Sequence, residues 1–239
     1  MAKPLRQARF RRSPGSTEVF LVRHGESEPA VAGQSFPLVD GHGDPALAPD
    51  GREQAERVAN RLAGQGIAAI YVSTLRRTAE TAAPLADRLE LDPVVEADLR
   101  EVFLGEWEGG AFRHHVAEGH PAARQMLAEE RWDAVPGGEA TAAFRARVRQ
   151  GLERVVASHP DERVVVVSHG GVIGELVRHA VDATRAFAFV GADNGSITHL
   201  VISGDHWVVR RFNDTAHLAD GFDLDPDPSM PEGDQGASA

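Results

Sequence analysis

Val19-Phe20-Leu21-Val22-Arg23-His24-Gly25-Glu26 is the stretch that decides how this chain folds. Four consecutive apolar residues describe a strand buried on both faces, the pattern of a parallel sheet covered by helices. The strand ends on an arginine and a histidine, and Gly25 then lets backbone approach a neighbour or ligand closely. The same design recurs downstream, where Val164-Val165-Val166-Val167 runs into Ser168-His169-Gly170-Gly171. In open α/β sheets ligands bind beyond the carboxyl ends of the strands, so the two histidines meet if their strands are neighbours. Gly170-Gly171 also opens a helical stretch, whose free N–H groups favour an anion.

Outward from these two strands, helical and extended patterns alternate. Residues 50–62 place Ala55, Val58, Ala59 and Leu62 on one stripe. Residues 67–72 read as a strand and 75–89 as a helix that Pro84 must bend or interrupt. Residues 94–95 suggest a short strand, 111–132 a polar helical insertion, 141–157 a helix and 171–181 another. Two last apolar runs, 197–202 and 207–212, flank Ser203-Gly204-Asp205 as a hairpin would. The expected fold is α/β: a three-layer α/β/α sandwich with a largely parallel central sheet and a small helical insertion. The folded domain is expected over residues 18–218, with a basic disordered tail at 1–17 and an acidic one at 219–239.

Composition narrows the function. The chain has 239 residues, 42% apolar and 26% charged, ample for one compact domain with a real core. It has no cysteine, which excludes disulfides, thiolate catalysis and cysteine-ligated metals. No apolar run approaches a membrane span and no signal-peptide pattern follows the basic start, so a cytoplasmic protein is expected and the sequons at Asn194 and Asn213 carry little meaning. Thirty-six acidic against 25 basic residues give a net charge of −11, which argues against nucleic acid as a partner. It leaves room for a small phosphorylated metabolite, which needs only a local cluster of arginines. A homodimer is left open.

At this point the residues resemble a family. Leu21-Val22-Arg23-His24-Gly25-Glu26-Ser27 is similar to the signature of the histidine phosphatase superfamily, which includes the cofactor-dependent phosphoglycerate mutases. Further resemblances fall in the family's order: residues 44–51 with Gln54-Ala55, then Val72-Ser73-Thr74-Leu75-Arg76-Arg77 with Thr81-Ala82. Leu99-Arg100-Glu101 with Gly105-Glu106-Trp107-Glu108-Gly109 resembles the acid motif, and Ser168-His169-Gly170-Gly171 the second histidine motif. The resemblance implies a phosphatase that needs no metal and no cofactor. His24 would attack phosphorus, giving a phosphohistidine that water later hydrolyses. Arg23, Arg77 and His169 would meet the charge of the phosphoryl group, with backbone near Gly170, and Glu101 would protonate the departing alkoxide.

The choice between adjacent arginines follows from helical projection. Arg76 lies with Glu80 and Asp87, opposite the apolar stripe, whereas Arg77 lies with Thr81 on a flank that can turn into a cleft. The family register selects Arg77 as well. Asp40-Gly41-His42-Gly43-Asp44 has metal-binding residue types, but its composition equally describes a turn-rich loop. His114 and His115 are expected at the surface or in a lid, and Arg113, Arg124 and Arg131 on a solvated helix face, with contact to a substrate's second anionic group as the alternative. Trp107 is expected to pack. The chain departs from the family at Ala30, where many members carry a phosphate-contacting asparagine, and at Ala140, where serine commonly follows the glutamate. Both departures bear on substrate choice. Phosphoglycerate-mutase-type transfer and a non-catalytic phosphate-binding protein are the alternatives; the short insertion and residues 105–109 favour the phosphatase.

Overall fold

The computed structural model describes residues 7–218. In chain order the strands are β1 (Thr17–Arg23), β2 (Leu38–Val39), β3 (His42–Gly43), β4 (Ala69–Val72), β5 (Val94–Val95), β6 (Arg163–Ser168), β7 (Ile197–Ser203) and β8 (His206–Asp214). The helices are α1 (Pro49–Leu62), α2 (Arg76–Leu89), α3 (Ala111–Ala117), α4 (Pro121–Glu129), α5 (Thr141–Ala157) and α6 (Gly170–Ala180). Six strands form the central sheet in the order β5-β4-β6-β1-β7-β8, and β2-β3 is a separate small hairpin. β5, β4, β6 and β1 are parallel, while β7 runs against both β1 and β8. The sheet is therefore mixed, with β7 alone reversed, in keeping with the expected largely parallel sandwich.

The period of two along each buried strand sorts the core into two layers. Val19, Leu21, Val164 and Val166 face one side, against Phe144, Val148 and Leu152 of α5 and Val172, Ile173 and Leu176 of α6. Phe20, Val22, Val165 and Val167 face the other, against Val58 and Leu62 of α1 and Ala82 and Leu85 of α2. Truncating a wholly buried core residue such as Leu152 to alanine costs about 2–5 kcal/mol. The polar insertion is α3 and α4, and its Met126 and Trp132 close over the α5–α6 side.

α2 continues through Pro84 without the interruption that was one of the two outcomes expected there. One boundary needs correction. The N-terminal boundary expected after residue 17 falls too late, because Thr17 is the first residue of β1 and both Ser16 and Thr17 are fully buried. Thr17 donates its hydroxyl to the His159 carbonyl at 2.8 Å, and Arg12 donates to the Ser16 carbonyl and to Asp161. Apolar periodicity could not find these contacts, because they are polar and bridge residues far apart in sequence. Residues 1–6 of the expected basic tail and 219–239 of the acidic one lie outside the described residues.

Candidate active site

β1 and β6 are parallel neighbours, with Arg23 opposite Ser168. That register brings the two histidines that follow them together, their ring centroids 5.2 Å apart. His24 is buried, and its Nδ1 lies 2.7 Å from the Gly25 carbonyl oxygen. A carbonyl only accepts, so Nδ1 carries the proton and Nε2 keeps its lone pair. Arg77 donates Nε–H to that lone pair at 3.2 Å. Burial, reinforced by Arg77 and Arg23, holds the His24 pKa well below the usual histidine range. The ring is therefore a neutral base aimed along one defined direction.

The surrounding backbone explains why glycine follows His24. A Cβ at Gly25 would run into the Gly51 carbonyl at the start of α1. The Gly25 N–H is taken by the Thr81 hydroxyl at 2.9 Å, which ties the β1 loop to α2. Asn194 donates from its side-chain amide to the His24 carbonyl at 2.8 Å.

Arg77 is buried while its neighbour Arg76 is exposed and paired with Glu80, as helical projection indicated. Arg77 also donates to the Gly43 carbonyl at 2.9 Å, and burial lowers its pKa to about 10 against the opposing pull of Glu101 and Asp44. Arg23 donates to the Ala192 carbonyl, and desolvation lowers its pKa too. Its Nε is buried without a partner and lies beneath Gly170, where a Cβ would sit 3.5 Å away. Among the described residues, neither arginine has a carboxylate within 4 Å. Buried cations without counter-charge favour an anion at this point.

His169 is fully buried, with Nε2 2.8 Å from the Ser73 hydroxyl and Nδ1 without a partner. Burial, then Arg77, lowers its pKa well below the usual range. Glu101 accepts the Val102 N–H at 3.0 Å and the Gly171 N–H at 3.2 Å. Gly171 makes room for it, since a Cβ there would stand 2.6 Å from a Glu101 oxygen. Arg147 of α5 fixes the Glu101 loop by donating to the carbonyls of Asp98, Arg100 and Glu101 and to both oxygens of Glu139.

A cavity of about 690 Å³ opens over this group, with Arg23, His24, Arg77 and Glu101 in its wall. His169 and Gly170 are not part of that lining; they adjoin His24 and Arg23, which are. The Asp40–Asp44 stretch supplies the turn and the second strand of the β2-β3 hairpin, and Asp44 accepts the Arg76 N–H at the start of α2. No group of three His, Asp or Glu side chains suited to a metal converges among the described residues.

Sequence reasoning left outside the candidate site several residues that the fold brings to the cavity. Arg113, expected on a solvated face, reaches from α3 to the Ser27 hydroxyl and Glu28 carbonyl and joins the wall. His114 and Asn194 line it as well, and Trp107 both packs and lines. No pattern in the sequence reports these positions, because the insertion and the loop before β7 fold back over β1 only in three dimensions.

Comparison with known proteins identifies the family. Residues 19–215 match the family model described as histidine phosphatase superfamily, branch 1. The chain is 34% identical to phosphoglycerate mutase-like protein 4 of Arabidopsis thaliana, over 86% of this chain and 89% of that protein. It is 31% identical to the metal-independent phosphoserine phosphatase of the same plant, over 89% and 90% of the two chains. The native structure of mycobacterial glucosyl-3-phosphoglycerate phosphatase superposes with a TM-score of 0.70 at 30% identity, covering 84% of this chain and all of that one. The family match over most of the chain and the shared fold lead to one conclusion: the chain belongs to the histidine phosphatase superfamily, branch 1.

Proposed function

We propose that this enzyme hydrolyses a small phosphomonoester without a metal, His24 carrying the phosphoryl group between two displacements. One observation carries the assignment. The Gly25 carbonyl holds the His24 proton on Nδ1, so Nε2 keeps its lone pair, which accepts the Nε–H of Arg77 at the cavity wall.

In the first displacement His24 Nε2 attacks phosphorus and the bond to the alkoxide oxygen breaks. Glu101 gives its proton to that oxygen, which leaves as the alcohol. Arg23 and Arg77 meet the charge on the phosphoryl oxygens with charge-assisted hydrogen bonds. His169 adds a further donor from Nδ1–H when Nε2 accepts the hydrogen bond of the Ser73 hydroxyl. In the second displacement water attacks phosphorus, Glu101 takes its proton, and His24 leaves with its lone pair restored. Phosphoserine and phosphoglycerate derivatives, named for the relatives, are the first substrates to try.

A second reading, phosphoryl return to a bound acid as in a mutase, is favoured by the mutase-like name of one relative. Phosphate release from a panel of phosphomonoesters, with and without chelator, tests the phosphatase directly. Labelled substrate quenched in alkali should leave label on the protein, and His24→Ala should abolish both label and turnover. Turnover that persists in His24→Ala would overturn the assignment, and label passing to an acceptor acid instead of water would favour the mutase.

A further inference from the structure

Arg77 is held at two points. Its Nε–H goes to His24 Nε2 at 3.2 Å, and its Nη1 donates to the Gly43 carbonyl at 2.9 Å. Two contacts fix the plane of a guanidinium and leave three of its five N–H donors for phosphoryl oxygens. The second contact comes from outside the central sheet, from β3 of the small hairpin.

That hairpin has little of its own to hold it in place. Each strand has two residues, and an isolated pair of strands is marginal in water. Leu38 and Val39 of β2 are exposed. β3 is instead fixed from the loop that follows Glu101. The His42 ring packs on Phe103 with centroids 5.1 Å apart, and Gly43 donates its N–H to Glu108 Oε2 at 2.7 Å. The other Glu108 oxygen accepts the Leu104 N–H at 2.9 Å. One carboxylate therefore bridges the hairpin to the loop, and the residue it grips is the one whose carbonyl holds Arg77. Gly43 permits this approach, because a Cβ there would stand 3.1 Å from the Gly109 nitrogen and 3.4 Å from Glu108 Oε2. Its φ is not left-handed, so the glycine serves closeness alone.

We propose that Glu108 is a positioning residue for phosphoryl transfer. By holding Gly43 it sets the carbonyl that braces Arg77, and so the direction of the Arg77 donors left for phosphate. The inference rests on the phosphatase reading above and deepens it. Glu108 acts on the reaction through Arg77, whereas Glu101 acts on the leaving group.

The test is a double-mutant cycle. kcat/KM is measured on an alkyl and a nitrophenyl phosphate for the wild type, Glu108→Gln, Arg77→Ala and the double variant. Glutamine offers one acceptor oxygen where two N–H groups need one each. Glu108→Gln should lower kcat/KM by about ten- to a hundredfold, the loss that follows from misplacing a group by about an ångström. The loss should be equal on the two esters, because Arg77 meets the phosphoryl charge and not the leaving group. It should shrink to within about twofold once Arg77 is alanine. Gly43→Ala keeps both partners but forces Glu108 and Gly109 back, and should show a smaller loss of the same kind; it carries the cycle if Glu108→Gln does not fold. No loss in Glu108→Gln, or a greater loss on the alkyl ester, would overturn the proposal. So would a loss undiminished without Arg77, which is what a role confined to holding the hairpin gives. Calorimetric binding of inorganic phosphate to the same four proteins reads Arg77 without turnover, and Glu108→Gln should weaken it only where Arg77 is present. If the wild type hydrolyses no ester, the phosphatase reading fails, and the phosphate titrations still decide the role of Glu108.

Discussion

The Arg77 guanidinium donates to Nε2 of His24 at 3.2 Å, on the side of the ring opposite the proton held by Gly25. This contact places a fixed cation at the atom proposed to meet phosphorus, without protonating it. Arg77→Ala should lower kcat/KM by about 10²- to 10³-fold, the loss expected for a desolvated donor aimed at developing charge. Arg76→Ala removes only an exposed pair with Glu80 and should leave kcat/KM within about twofold. Steady-state kinetics of the two alanine variants separates them, and equal losses would refute the assignment.

Ser73 should act on the reaction through His169. Its hydroxyl accepts the Leu75 N–H and lies between the Thr78 hydroxyl and His169 Nε2, while Thr78 gives its own proton to the Leu75 carbonyl at 2.7 Å. Ser73→Ala removes the group that orients the ring and should lower kcat by up to about 10²-fold with a smaller change in KM. Ser73→Thr, which keeps the hydroxyl, should restore most of the loss. A variant that loses thermal stability without this kinetic split would assign Ser73 to packing alone.

The worth of Glu101 depends on how badly the leaving group needs a proton. Glu101→Gln should slow single-turnover phosphorylation by an alkyl phosphate roughly 10²- to 10⁴-fold, and by a nitrophenyl phosphate far less. Arg147→Lys should show the same dependence in weaker form, because lysine cannot replace the fork that holds the 98–101 carbonyls and Glu139. Equal slowing on both substrates would remove Glu101 from the acid role.

Acid should destabilise the fold. The folded-state pKa values of His24 and His169 lie well below the ordinary value, so as pH falls through about 6.5 the unfolded chain binds protons that the folded chain refuses. Each such histidine removes up to about 1.4 kcal/mol per pH unit until the folded-state pKa is reached. Melting curves between pH 7.5 and 5 should show Tm falling, and His169→Gln should flatten the slope. An unchanged slope would mean that other groups set the acid limb.

Deleting residues 1–16 should lower Tm by several degrees while sparing turnover. The deletion removes the Arg12 contacts to Ser16 and Asp161 and uncovers the amino end of β1, away from the site at its carboxyl end. A large loss of kcat would show that this segment acts on the site.

The sequence by itself determined the sheet and the layers, and marked His24, Arg77, Glu101 and His169 as the candidate site. Burial imposes a period of two on strands such as β1 and β6 and a longer period on helices such as α2, and both periods are local. The motif residues lie at strand ends and helix starts, so their places along the chain also fix their places on the scaffold. Tertiary structure alone decided the rest. The His24 tautomer depends on which acceptor faces Nδ1, and the orientation of His169 depends on Ser73, 96 positions away. Arg113 reads as a surface residue in its own helix and becomes part of the cavity only when α3 folds back across the Ser27–Glu28 backbone. Such contacts arise from the geometry of loop closure, which leaves no period in the sequence to read.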